Sequence, residues 1–183
     1  MVFLSAVSAP PNAELDRLIA LTANGDTEAF AQLYRRTKGA VYALALSILR
    51  SPQDAEDAMQ DTFLSLRNAA GDYRAQGTPM AWILTVCRNL SLKRLQTRRQ
   101  EPLPEEWELA ESDGISQEER MLLRQLLSAL GAEERQIVTL HAAAGFKHRE
   151  IAAMLELPLA TVLSKYHRAM KKLRKQLEQE DAQ

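Results

Sequence analysis

Apolar residues return every three or four positions along nearly the whole chain, and no stretch alternates with period two. That pattern predicts an all-α fold. A first helix is expected over 13–23, ended by Asn24-Gly25. A second is expected over 27–49, with Phe30, Leu33, Tyr34, Val41, Leu44, Ala45 and Ile48 on its apolar side. Ser51-Pro52-Gln53-Asp54 is a helix start, a capping serine followed by proline at the first helical position. It opens a helix to about Ala70, closed by Gly71. Thr78-Pro79 repeats the signal and opens a helix through about Arg99. Further on, Ser116 with Glu119 caps a helix to Leu130, and 133–144 forms another, ended by Gly145.

The last two elements carry the most information. In 148–158, Ile151, Ala152 and Leu155 give a short helix one apolar edge, and Ala152 is small enough for a second helix to cross closely. Pro158 is expected to stop that helix and suits the first turn of the next. From there, Leu159, Val162, Tyr166, Ala169, Leu173 and Leu177 fall on one helical face; Thr161, Ser164, Lys165, Arg168, Lys171, Lys172 and Lys175 fall on the other. A basic stripe is ordinarily a solvated face. Preceded by a short helix and a tight break, it reads instead as a helix-turn-helix whose second helix enters the major groove of DNA.

Charge sharpens this reading. The 183 residues net −1, which by itself argues against a polyanion partner. The average conceals segregation: residues 1–100 carry 12 basic and 9 acidic side chains, 101–120 carry 1 and 8, and 121–183 carry 10 and 7. Two basic modules therefore flank an acidic connector that also holds Pro102, Pro104 and Gly114. The expected organisation is a frayed tail over 1–12, an N-terminal module over 13–100, an acidic linker over 101–115 and a C-terminal helix-turn-helix module over 116–183. A hydrophobic share of 46% with only 5% aromatic residues suits helical packing. The single cysteine, Cys87, excludes an internal disulfide, fits a reducing cytosol, and shares a helical side with Ile83 and Leu90, as a core thiol would. No apolar run approaches a membrane span.

Two earlier helices carry further surface chemistry. The helix after Ser51 has a core face of Ala55, Met59, Thr62, Phe63 and Leu66. Opposite lie Asp54, Asp57, Gln60 and Asp61, with Leu64 among them. Acid near a helix N-terminus complements the dipole, which accounts for Asp54 and Glu56. A leucine ringed by acids instead suggests a protein-docking patch. The helix after Thr78 turns basic in its second half, with Arg88, Lys93, Arg94, Arg98 and Arg99 and no acid. A cationic helix C-terminus is ordinary; the alternative is phosphate contact by Arg88, Lys93, Arg94 and Arg98, with Asn89 reading a base and Trp82 supporting an unstacked one. Enzyme chemistry finds little footing. His141, His148 and His167 lack metal-ligand spacing, and there is no glycine-rich phosphate loop.

Three motifs in order resemble one family. The run 55–63, AEDAMQDTF, resembles the polymerase-binding helix of sigma-70-type transcription initiation factors. Ala81-Trp82-Ile83 through Arg88-Asn89-Leu90-Ser91-Leu92 resembles their −10 recognition helix, and 161–169 their −35 helix. With two modules only, the chain is similar to the small extracytoplasmic-function (ECF) group. The resemblance implies no catalysis and no cofactor. It implies core RNA polymerase, promoter DNA and an anti-sigma factor as partners, without membrane insertion, in the cytoplasm. Asp57, Gln60 and Asp61 would face the polymerase, with Asp54, Glu56 and Leu64 beside them. Asn89 would meet the −10 non-template strand. Thr161, Ser164, Lys165, Arg168, Lys171, Lys172 and Lys175, with Arg149, would meet the −35 groove. Three positions depart from the family pattern: Lys93 replaces an Asp, Leu163 a Lys or Arg, and Glu156 the turn glycine. Two alternatives stay open, a sigma-like interaction protein that does not initiate transcription and a one-component repressor.

Overall fold

The computed structural model describes residues 12–75, 77–98 and 127–180. These form seven α-helices and one 3₁₀ turn, and no strand among the described residues. Helix α1 is Asn12–Ala23 and α2 is Thr27–Leu49, joined through Gly25, whose φ of +85° lies in the left-handed region that glycine enters without penalty. Asp26 caps α2 by accepting from the Ala29 amide at 2.9 Å. Helix α3 is Pro52–Ala69, capped by Ser51, whose hydroxyl accepts from the Asp54 amide. Gly71 was expected to close α3; instead the chain tightens into a 3₁₀ turn over Ala70–Asp72. Helix α4 is Pro79–Arg98. The acidic linker, the tail over 1–11 and all but the end of the helix expected over 116–130 lie outside the described residues.

The C-terminal helices are α5 Ala132–Ala142, α6 His148–Leu155 and α7 Leu159–Glu180. Glu156, not Pro158, ends α6. It adopts φ 56°, ψ 38°, and its neighbour Leu157 donates to the Ala152 carbonyl at 3.0 Å while Glu156 donates to Ala153. This is a Schellman closure built on a glutamate. Pro158 then serves the next helix, its carbonyl accepting from Thr161 at 2.9 Å and Val162 at 3.1 Å. The helix-turn-helix thus forms without the customary glycine, at a backbone cost of roughly 1–2 kcal/mol.

Helix α2 is the central strut. It packs on α1, α3, α4 and α5, and Leu44 to Leu49 are buried in unbroken succession. A helix buried all round must be covered on every side, and α5 supplies the cover that α3 and α4 leave open. One apolar cluster therefore runs from Leu15 and Leu33 through Ile83 and Leu84 to Ile137, Ile151 and Val162. At the junction Arg135 is buried and donates through Nε to the Ser47 carbonyl at 3.3 Å and through Nη1 to that of Leu130 at 2.6 Å. Burial, with a smaller push from Arg50, lowers its pKa to about 10, so it stays charged at neutral pH. The thiol of Cys87 is buried against the Val41 carbonyl and pushed up to about 11 by burial, as expected of a core residue.

Candidate protein-docking and nucleic-acid interfaces

Helix α3 takes its orientation from its apolar side. Ala55, Ala58, Thr62, Phe63 and Leu66 are buried, and the Phe63 ring meets Tyr34 edge-on at 4.7 Å and Phe30 at 6.4 Å. With that side fixed, Glu56, Gln60 and Asp61 are exposed, and Leu64 stands 58% exposed, ahead of Leu159, Met170 and Leu177. The apolar residue on the acidic face is therefore on the surface. Asp57 and Asp61 do not stand alone. Arg94 of α4 donates through Nη1 to Asp57 at 2.8 Å and through Nη2 to Asp61 at 3.0 Å, with Asp54 at 3.8 Å. The bond to Asp57 and then that to Asp61 raise the Arg94 pKa against the opposing effect of burial. A residue expected to meet DNA is thus bound to the residues expected to meet protein. Their separations of 37 and 33 positions leave no local spacing by which sequence could pair them.

Helix α4 buries Ile83, Leu84, Cys87 and Ser91. Its remaining candidates divide. Asn89 and Lys93 are exposed, one turn apart. Arg88 is half-buried, and Trp82 is half-buried under Tyr73, with ring centroids 4.6 Å apart. Tyr73 is anchored by donating its hydroxyl to Asp16. Trp82 is therefore already covered on one side by a ring tilted 42° to its own, from a partner that the sequence pattern did not indicate. The Arg98 side chain lies outside the described residues.

Helix α7 buries Val162 and Ala169 as expected, and Tyr166 and Leu173 partly. The ends of its apolar stripe depart from expectation: Leu159 is 37% and Leu177 42% exposed, while the fully buried positions, Val162 and Ala169, lie between them. On the polar side, Ser164, Arg168, Lys171 and Lys175 are exposed, as is Arg149 on α6, and Thr161 is half-buried. Lys165 and Lys172 turn to α5, pairing with Glu133 and Glu134, each at 2.7 Å. Glu134 also accepts from the Gly131 amide at 2.9 Å. Burial raises its pKa, but Lys172 and Gly131 outweigh that and hold it below the ordinary value.

Periodicity gave no hint that His141 and His148 meet around Tyr166. His141 and His148 stack at 4.6 Å, and Tyr166 closes edge-on against both, at 5.1 and 4.5 Å, with His167 at 6.1 Å from Tyr166. Because a carbonyl only accepts, His141 Nδ1, 2.8 Å from the Phe146 oxygen, carries the proton. Burial, then the His141 and His167 charges, lower the His148 pKa. Among the described residues no three ligating side chains gather in a metal-binding group, and no helix is long and apolar enough to cross a membrane.

Two family models match: Sigma-70 region 2 over residues 33–101, and Sigma-70, region 4 over residues 120–173. The ECF RNA polymerase sigma factor SigK of Mycolicibacterium vanbaalenii is 31% identical over 174 residues, covering 89% of each chain. SigK of Mycobacterium tuberculosis is 29% identical, covering 92% of this chain and 97% of its own. Among solved structures, CnrH in complex with the cytosolic domain of CnrY superposes with a TM-score of 0.68 at 26% identity, over 90% of this chain and 97% of that one. RpoE in complex with the anti-sigma factor NepR from Bartonella quintana gives 0.70 at 23%, over 83% and 98%.

Proposed function

Because the chain belongs to the ECF group of the sigma-70 family, a group of binding subunits rather than enzymes, we propose that it binds core RNA polymerase, directs it to specific promoters and promotes transcription initiation. It acts in the cytoplasm, without a cofactor. The observation that carries this reading is the joint survival of all three faces. Leu64 is exposed on an acidic helix, Asn89 and Lys93 are exposed on α4, and Ser164, Arg168, Lys171 and Lys175 are exposed on α7. The polymerase takes Asp57, Gln60, Asp61 and Leu64; α4 takes the −10 strand; α7 takes the −35 groove. An anti-sigma factor restrains the chain, in keeping with the complexes in which the two similar structures were solved.

Distances then require movement. Elements centred 25 base pairs apart lie about 85 Å apart along B-DNA, at about 3.4 Å per step. A compact chain of this size has a radius of gyration of roughly 16 Å. With α5 seated on α2 and α6 against α4, one molecule cannot meet both elements. The expected linker over 101–115 spans at most about 50 Å when extended; added to the breadth of the two units, this lets the C-terminal unit reach the −35 element once α5 leaves α2.

Run-off transcription with purified core polymerase on a promoter pool is the test. Specific transcripts that depend on this chain support the proposal. Polymerase binding without any transcript would favour a sigma-like interaction protein, and Lys93 and Leu163 are the positions where such a loss of promoter reading would originate.

A further inference from the structure

Arg94 occupies a basic patch on a DNA-facing helix, yet its guanidinium turns to α3. Asp54, Asp57 and Asp61 lie three and four residues apart, so they form one stripe in which like charges repel. Arg94 answers that repulsion with a planar fork, one nitrogen on Asp57 at 2.8 Å and the other on Asp61 at 3.0 Å. In each case the accepting atom is Oδ2. A fork bridging two carboxylates on successive turns fixes both side chains, which the single point charge of a lysine does not do. The two carboxylates nonetheless remain 49% and 50% exposed, so each is oriented but still open to a partner. Lys93 and Asn89, by contrast, are exposed on α4.

We propose that Arg94 is a positioning residue of the docking face, ordering Asp57 and Asp61 for a cationic surface on the polymerase, and not a contact to promoter DNA. The proposal rests on the polymerase-binding reading above. It separates Arg94 from Lys93, its neighbour in the same basic run.

The experiment measures, for the full chain, the affinity for purified core polymerase and, at saturating core, the affinity of the holoenzyme for a single-stranded −10 non-template oligonucleotide. Arg94→Ala should weaken core binding roughly three- to tenfold, the size of a modest charge-assisted contact, and leave oligonucleotide binding unchanged. Arg94→Lys should recover less than half of the loss, because it restores charge without the fork. In an Asp57→Asn/Asp61→Asn background, Arg94→Ala should have no further effect; a merely structural role would show the same loss in both backgrounds and overturn the proposal. Unchanged or tighter core binding, together with weaker oligonucleotide binding, would make Arg94 a DNA contact and likewise overturn it. A wild-type chain that does not bind core polymerase would instead sink the docking reading, and this proposal with it.

Discussion

Lys172 on α7 reaches back 2.7 Å to Glu134, a carboxylate only 9% exposed at the start of α5. It is therefore bound to the protein's own scaffold, while Lys171 beside it is exposed. Lys172→Ala should leave a nearly buried carboxylate with only the Gly131 amide and cost about 1–2 kcal/mol in urea unfolding, less than the roughly 3–5 kcal/mol of a fully buried pair because Lys172 itself is 47% exposed. Lys171→Ala should leave stability within about 0.5 kcal/mol and flatten the log–log salt dependence of DNA binding by about 0.9. Equal salt slopes for the two variants, with equal stability, would abolish the distinction. Glu134 also supplies a pH signature. Its folded pKa is depressed, so the stability it contributes is present above the ordinary carboxylate value and is lost as pH falls through the folded one. Lys172→Ala should shrink that acid-side loss.

Glu156 offers a stabilising substitution. Its φ of 56° is one that side chains with a Cβ adopt at a penalty. Glu156→Gly should raise the urea midpoint by an amount equivalent to about 0.5–1 kcal/mol, the relief of strain exceeding the added freedom of the unfolded chain. Glu156→Val should lower it. An unchanged midpoint for Glu156→Gly, at constant slope, would show that the glutamate pays no backbone penalty there.

Where the elements begin and end was legible because capping and turn chemistry are local. Ser51-Pro52 and Thr78-Pro79 mark helix starts within a residue or two of those found. The exposed Leu64 and the buried Cys87 were legible for the same reason, since helical period alone assigns each a side. What local pattern could not carry was pairing across the fold. Arg94 with Asp57, Lys165 with Glu133, and His141 and His148 with Tyr166 come together only when separate helices pack. The seating of α5 on α2 was hidden likewise, although the unbroken burial of Leu44 to Leu49 exceeds what α3 and α4 alone would require. Arg94, Lys165 and Lys172 were therefore all expected to meet DNA: charge is visible in the sequence, and its partner is not.

The histidine cluster predicts an acid-sensitive C-terminal unit. The folded pKa of His148 is lowered by burial and then by His141 and His167. Folding therefore favours the neutral ring. Stability is full above the unfolded value of about 6.5, falls as pH drops below it, and levels off beneath the folded pKa. The slope should not exceed about 1.4 kcal/mol per pH unit for one proton. His148→Phe, which keeps an aromatic ring against Tyr166, should remove this component. Identical pH profiles for the two proteins between pH 5 and 7 would locate the titration elsewhere.

Asn89 is exposed on α4 beside no internal partner that would explain it among the described residues. If it reads an unpaired base, Asn89→Ala should slow open-complex formation on duplex promoter and do less harm on a bubble already melted through the −10 element. Pre-melting removes an unstacking and unpairing cost of a few kcal/mol. Equal defects on both templates would make Asn89 a contact to the strand backbone, and no defect on either would leave it a surface residue.

Promoter engagement should pull α5 off α2. Dyes attached at Ala20→Cys on α1 and Ala153→Cys on α6, both exposed positions, report that separation. The native thiol does not compete, because Cys87 is buried and its pKa lies near 11. In the free chain the two units share one apolar core, so transfer between the dyes should be efficient. Binding to core polymerase and promoter should drive it down sharply, since the two DNA elements lie about 85 Å apart. Replacing the buried Arg135 with methionine would test what holds the closed arrangement. Its guanidinium ties α5 to the Ser47 carbonyl at 3.3 Å, so Arg135→Met should lower transfer in the free chain while leaving the DNA-bound value alone. Transfer that stays high in the promoter complex would mean that the units travel together and that only one of the two DNA elements is read.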